Sequence, residues 1–113
     1  MMAKKRTKLK KIILAYVTTK NKKEALTIGE TLVKKQLAAC INIIPLMISS
    51  YRWQGKIERG NEAVLIIKTL RSKRKAIIKE VKRLHSYSVP CILFLNIDGG
   101  NPDYMGWLNQ EVT

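Results

Sequence analysis

The 113-residue chain reads as an α+β domain: a four-stranded antiparallel sheet with two helices on one face and a short C-terminal helix, in the order β-α-β-β-α-β. Three observations predict this class. Two stretches repeat apolar residues at three- and four-residue steps, four others are β-rich apolar runs, and Gly, Pro and Asn fall between them. With 46% apolar and 27% charged residues, the composition suits one packed core, and the length leaves no room for a second.

Lys11 to Thr18 is a nearly continuous apolar run, as expected of a central strand buried on both faces. Asn21 can cap a first helix in which Ala25, Ile28, Gly29, Leu32, Val33 and Leu37 keep helical spacing and lysines and Glu30 take the other side. Ala39 to Trp53 reads as a long second strand, with a bulge or bend at Pro45 because proline cannot donate to a ladder. Gln54 to Asn61, marked by Gly55 and Gly60, reads as a polar reversal into a third strand, Ala63 to Thr69, so strands two and three form a hairpin. Ser72 can cap a second helix through Ile77, Ile78, Val81 and Leu84, closed by His85. Pro90 bars continuation, Cys91 to Ile97 is the fourth strand, and Gly99, Gly100 and Pro102 break the chain before an amphipathic segment, Asp103 to Asn109. Its stripe of Tyr104, Trp107 and Leu108 reads as packing.

This is the ferredoxin-like split βαβ order, and it leaves one sheet face uncovered. Strands one and three are apolar on both sides, so a second layer must come from another subunit. Residues 1–11 form a basic N-terminal tail and 12–113 the single domain.

The formal net charge is +14, a field that attracts nucleic acid, anionic lipid and acidic partners. The 22 basic residues are spread, however, six before Ile12 and seven between Arg71 and Arg83, rather than interleaved with aromatics as on a base-stacking surface. Solvated faces are therefore favoured over a nucleic-acid partner. The longest mostly apolar stretch, Ala38 to Ile48, is too short to span a membrane, and the basic start followed by Ile12 to Val17 imitates a signal peptide without a cleavage site. The expected location is the cytoplasm. Two cysteines, Cys40 and Cys91, are too few for a disulfide framework.

Catalytic constellations fail on inventory. One histidine without a Gly-x-Ser-x-Gly run gives no local support to a triad, and Gly99-Gly100 lacks the context of a phosphate-cradling loop. The protein is not expected to be an enzyme.

Several ordered motifs carry a resemblance. Leu37 to Pro45, Ser50-Tyr51-Arg52-Trp53-Gln54-Gly55-Lys56-Ile57-Glu58, Asn61-Glu62 through Thr69, Leu84 to Pro90, and Asn101 to Leu108 resemble the CutA divalent-cation tolerance family over Ile12 to Asn109. The resemblance implies a homotrimer in which long hairpins of neighbouring subunits pair, and a role in tolerance to copper or another divalent cation through binding such ions.

In copper-linked bacterial members the metal ligands resemble a cysteine ending strand one and a histidine pair ending helix two. Here those positions hold Val17 and Leu84, and only His85 survives. His85 reads either as a helix-terminal histidine bonded near Tyr87 or as a metal contact in an intersubunit cleft. The resemblance places Trp53, Glu62, Lys68, His85 and Tyr87 in that cleft. Lys68, on an otherwise apolar strand, needs a carboxylate or a ligand, and Glu62 could supply the carboxylate across an interface. Cys91, where relatives usually carry glutamate, could replace a lost metal ligand or be a buried strand thiol. Two other functions remain open: a basic ferredoxin-like module for RNA or DNA, and a signalling trimer sensing a small anion through Lys68 and His85.

Overall fold

The computed structural model describes residues 9–113, so Lys4, Lys5, Arg6 and Lys8 of the basic segment lie outside the described residues. Strands β1 (Ile12–Thr19), β2 (Cys40–Trp53), β3 (Lys56–Leu70) and β4 (Ile92–Asn96) pair antiparallel in the order β2-β3-β1-β4. Helices α1 (Lys22–Lys34) and α2 (Arg74–Leu84) pack on one face, and α3 (Pro102–Glu111) crosses one end of the other.

The two periodicities explain the layers. On the central strands Ala15, Val17, Ala63, Leu65 and Ile67 point to the helices and meet Ala25, Ile28, Leu32, Ile77 and Val81, all fully buried. The alternate residues, Leu14, Tyr16, Thr18, Val64, Ile66 and Lys68, point to the open face. There Ile44, Leu93 and Leu95 stay exposed at 48%, 60% and 50%, so the sheet carries an apolar face that one chain does not cover. Gly29 lets α1 approach the sheet closely: a Cβ there would stand 2.9 Å from the Ile41 and Leu65 Cδ1 atoms.

Asn21 caps α1 as its sequence predicts, its side chain accepting from the Glu24 N–H at 2.9 Å. The Pro45 irregularity is also present, as a register shift between Ile44 and Met47. Three elements differ from the sequence expectation. The hairpin reversal is only Gln54-Gly55, at φ 50° and 79°, and Lys56 to Asn61 continue β3. Those polar residues do not stop the strand, because it leaves the sheet as a two-stranded ribbon beyond the last β1 partner pair, Thr19 with Ala63, and both its faces lie outside the core. Ser72 does not cap α2; a 3-10 turn over Arg71–Lys73 precedes it, and Lys73 at the N-cap position makes no side-chain cap bond. Finally, only Leu108 of the α3 stripe is core, packed with Ile12, Leu70 and Val112, whereas Tyr104 and Trp107 are exposed at 41% and 39%. A ten-residue helix lying across a sheet end buries only one narrow stripe.

The ribbon is the dominant feature of the shape. Residues 47–53 and 56–62 pair alone, so the molecule measures 64 × 25 × 23 Å. Ile48 and Ile57 on it and Leu46 at its base are exposed at 74%, 68% and 68%.

Candidate functional site

A cavity of about 710 Å³ opens where the ribbon leaves the sheet on the open face. Alternation places Met47, Ser49, Tyr51 and Trp53 of β2 on the face shared with Glu62 of β3 and Tyr16 and Thr18 of β1. The loop after α2 supplies Tyr87, Ser88 and Val89, and Cys91 leads into β4. Glu62 is the one charged side chain of the lining. Its Oε2 accepts from the Tyr87 hydroxyl at 2.9 Å, and the Tyr16 hydroxyl bonds the Met47 sulfur at 3.6 Å. Burial, then the hydrogen bond to Glu62 and its negative charge, push the Tyr87 phenol up to about 12, so it stays a neutral donor at neutral pH.

His85 stands beneath this wall, not in it. Its side chain is 0% exposed. The Tyr87 N–H donates to Nδ1 at 3.0 Å, so the ring proton sits on Nε2 and goes to the Thr18 carbonyl at 2.8 Å. Glu24 lies 3.8 Å from Nδ1 and accepts from the Lys20 and Ser86 N–H groups at 3.1 and 2.9 Å. Burial raises the Glu24 carboxyl, but the Ser86 and Lys20 hydrogen bonds and the nearby imidazole outweigh it and hold the group below its ordinary value. One histidine thus ties the end of α2 to β1 and the start of α1. With both nitrogens engaged, it offers no lone pair to an ion.

The structure therefore brings Trp53, Glu62, Tyr87 and Cys91 to one cavity and leaves His85 behind it. Lys68 is elsewhere. It lies six residues from Glu62 along β3, about 20 Å at the rise of a strand, so the two do not pair within a chain. Its Nζ instead bonds the Tyr104 hydroxyl at 3.3 Å, 5.4 Å from that ring's centroid, in a smaller apolar cavity of about 380 Å³ beside α3. Within the chain its neighbour is thus a phenol on α3, and the carboxylate expected from across an interface would have to come from another subunit.

Two cavity residues and one support were not singled out from sequence as site residues. Tyr51 stands two residues before Trp53 and so shares its face; Tyr16 sits in the apolar run of β1. The Asn21-x-x-Glu24 spacing of a capping box marks Glu24.

A copper site of the imidazole and thiolate kind does not fit a single chain. Val17 is fully buried on the helix side, Leu84 packs against the core, and no cluster of three His, Cys, Asp or Glu side chains exists among the described residues. Cys40 is half-buried on β2 opposite Lys68, away from the cavity.

Fold and site together define a class: a ferredoxin-like protomer with an unfinished sheet face, a projecting β-ribbon and an aromatic cavity where the two meet. The comparisons with known proteins agree. The chain belongs to the CutA1 divalent ion tolerance protein family, whose model matches residues 13–111. It is 42% identical over 96 residues to the mouse protein CutA, covering 85% of this chain and 54% of the mouse protein. It is likewise 42% identical over 99 residues to the chloroplastic CutA 1 of Oryza sativa subsp. japonica, 88% of this chain and 56% of that one, so it spans about half the length of these relatives. The crystal structure of CutA1 from Oryza sativa matches with a TM-score of 0.90 at 38% identity, covering 93% of this chain and 96% of that one. The CutA of Archaeoglobus fulgidus, described as periplasmic, matches with a TM-score of 0.88 at 36% identity over 90% of this chain and 99% of that one.

These relatives overturn the cytoplasmic expectation. The same fold serves a protein described as periplasmic and others described as chloroplastic. Among the described residues no helix is long and apolar enough to cross a membrane, but that observation carries no information about compartment.

Proposed function

We propose that this chain acts in the response to divalent cations as a symmetric homotrimer, binding ions rather than catalysing a reaction. The observation that carries the assembly is the apolar open face with its overhanging ribbon, since a lone two-stranded ribbon is marginal in water and a partner sheet would cover both. Membership of a divalent-ion tolerance family supports the ionic role. A binding role is in keeping with His85, whose two nitrogens are committed to Thr18 and Tyr87 and so do not face the cavity. Within one chain the cavity's one charge is negative, so the anion-sensing alternative finds no cationic lining there.

Cys91 is the one thiol in the cavity wall, so a copper ion held there would draw its remaining ligands from a neighbouring subunit. Native mass spectrometry during a copper(II) titration tests both parts. A trimer is expected that takes up copper in threes, keeps it in His85→Ala and loses it in Cys91→Ser. A trimer without copper uptake would remove the copper part, and a monomer would remove the assembly.

A further inference from the structure

The 22 basic residues are spread along the sequence, but the fold gathers exposed Arg71, Arg74, Lys75, Lys79, Lys82 and Arg83 on α2 and the 3-10 turn before it. Ile77 and Val81 turn one side of α2 into the core. Arg71, Lys75, Lys79 and Lys82, at steps of three and four residues, therefore form a solvent-side stripe about 16 Å long. The one acidic residue between Arg71 and Leu84 is Glu80, already held by Lys35 of α1 at 2.9 Å and by Arg83. The four stripe residues make no ion pair among the described residues. At the start of the stripe the Arg71 N–H donates to the Lys11 carbonyl at 2.9 Å, which brings exposed Lys11 to the same end.

Helix stability does not account for this stripe. In α1 the charges agree with the helix dipole: Asn21 caps it, Glu24 is in its first turn and Lys34 in its last. In α2 the first turn has no acidic residue and no side-chain cap, and Arg74 and Lys75 there oppose the dipole. Arg71 with Lys75, and Lys75 with Lys79, also set like charges four residues apart, which is unfavourable on a helix. A polyanion lying along the stripe removes that repulsion.

The chemistry of the stripe narrows the choice of polyanion. It is linear and convex, so its donors do not converge on a small anion. A bilayer-binding helix inserts its apolar face, whereas that of α2 is buried in the core. A protein partner needs a central apolar or aromatic anchor, and the stripe offers only Ile78, exposed at 38%. No aromatic residue lies between Arg71 and Leu84, which removes base stacking but not contact with phosphates. A duplex carries a phosphate about every 1.7 Å of its axis and needs neither anchor nor pocket.

We infer that the solvent face of α2 binds the phosphate backbone of a nucleic-acid duplex without reading its sequence. The stripe lies within one chain, on the side of the sheet opposite the open face, so it stays accessible in the proposed trimer and does not depend on it. It also involves none of the cavity residues assigned to copper.

Fluorescence anisotropy of two short labelled DNA duplexes of unrelated sequence, titrated with the protein over a range of salt concentrations, tests this. Both duplexes should bind saturably with affinities within about threefold of each other, and log K should fall with log salt at a slope of about −4. The triple variant Lys75→Gln, Lys79→Gln, Lys82→Gln should bring the slope to about −1 and weaken binding at low salt at least about tenfold. Removing three exposed charges elsewhere, with Lys20→Gln, Lys56→Gln and Arg59→Gln, should leave the slope unchanged. The inference is overturned if neither duplex binds saturably at low salt, or if both triple variants weaken binding equally, which would reduce the effect to net charge. Tighter binding to phosphatidylserine vesicles or polyglutamate than to the duplexes would also overturn it, in favour of a membrane or an acidic protein. The stripe variant should keep the subunit number and copper uptake of the unaltered protein, so failure here is distinct from failure of the proposed trimer or copper site. Comparing the probes on unaltered protein keeps the test decisive even if a variant does not fold.

Discussion

His85→Ala is predicted to destabilise the protein by about 2–4 kcal/mol, because it strands the buried Thr18 carbonyl and the Tyr87 N–H together and removes a packed ring. Urea unfolding of the variant checks this, and a cost under about 0.5 kcal/mol would contradict the structural role assigned to the histidine. Glu24 makes the same junction pH-dependent. Its folded pKa lies below the ordinary 4.5, so its contribution is present above that value and is lost as pH falls through the folded one. Wild-type stability should drop in that acid window, while Glu24→Gln, already lacking the carboxylate, should show a shallower drop. Tyr87 works in the opposite direction: its folded pKa is raised from 10.0 to about 12, so its contribution is lost as pH rises between the two, and Tyr87→Phe should remove that alkaline loss. At this scale the sequence was only half legible. It marked His85 and Tyr87 as neighbours, but the choice between ligand and strut depends on a carbonyl 67 residues away, which no local pattern encodes.

Among the elements, the helices and central strands follow directly from apolar spacing, and Asn21 shows a cap read correctly from one residue type and its place. The ribbon was less legible because polar residues at Lys56 to Asn61 look like a loop when a strand is expected to be half buried. What pairs them is the tight turn: Gln54 and Gly55 both take positive φ, which matches the twist of a two-stranded ribbon. Gly55→Ala should therefore cost about 1 kcal/mol by circular dichroism melts, although nothing lies within 4 Å of the added Cβ. Gly29 carries a packing constraint instead. Alanine gains about 1 kcal/mol of helix propensity but drives its Cβ against fully buried Leu65, where overpacking costs about 1–3 kcal/mol. Net destabilisation of Gly29→Ala is expected, and an increase in melting temperature would contradict that close approach.

For the whole molecule, the open face was foreseen from strands that are apolar on both sides, and the exposed Ile44, Leu93 and Leu95 now occupy it. The joint cleft belongs to the assembly rather than to one chain, in which Glu62 and Lys68 share a strand face but stand far apart along it. A single chain that leaves so much apolar face and paired backbone to water calls for a partner of the same kind, and closed symmetry supplies it without new edges. Placing a charge on that face, as in Leu95→Lys, should break the assembly while the helix-side core stays folded. Sedimentation equilibrium of the protein at low micromolar concentration reads the subunit number. One species at three times the 12.9 kDa chain mass is expected, and a single species at the chain mass itself would rule the trimer out.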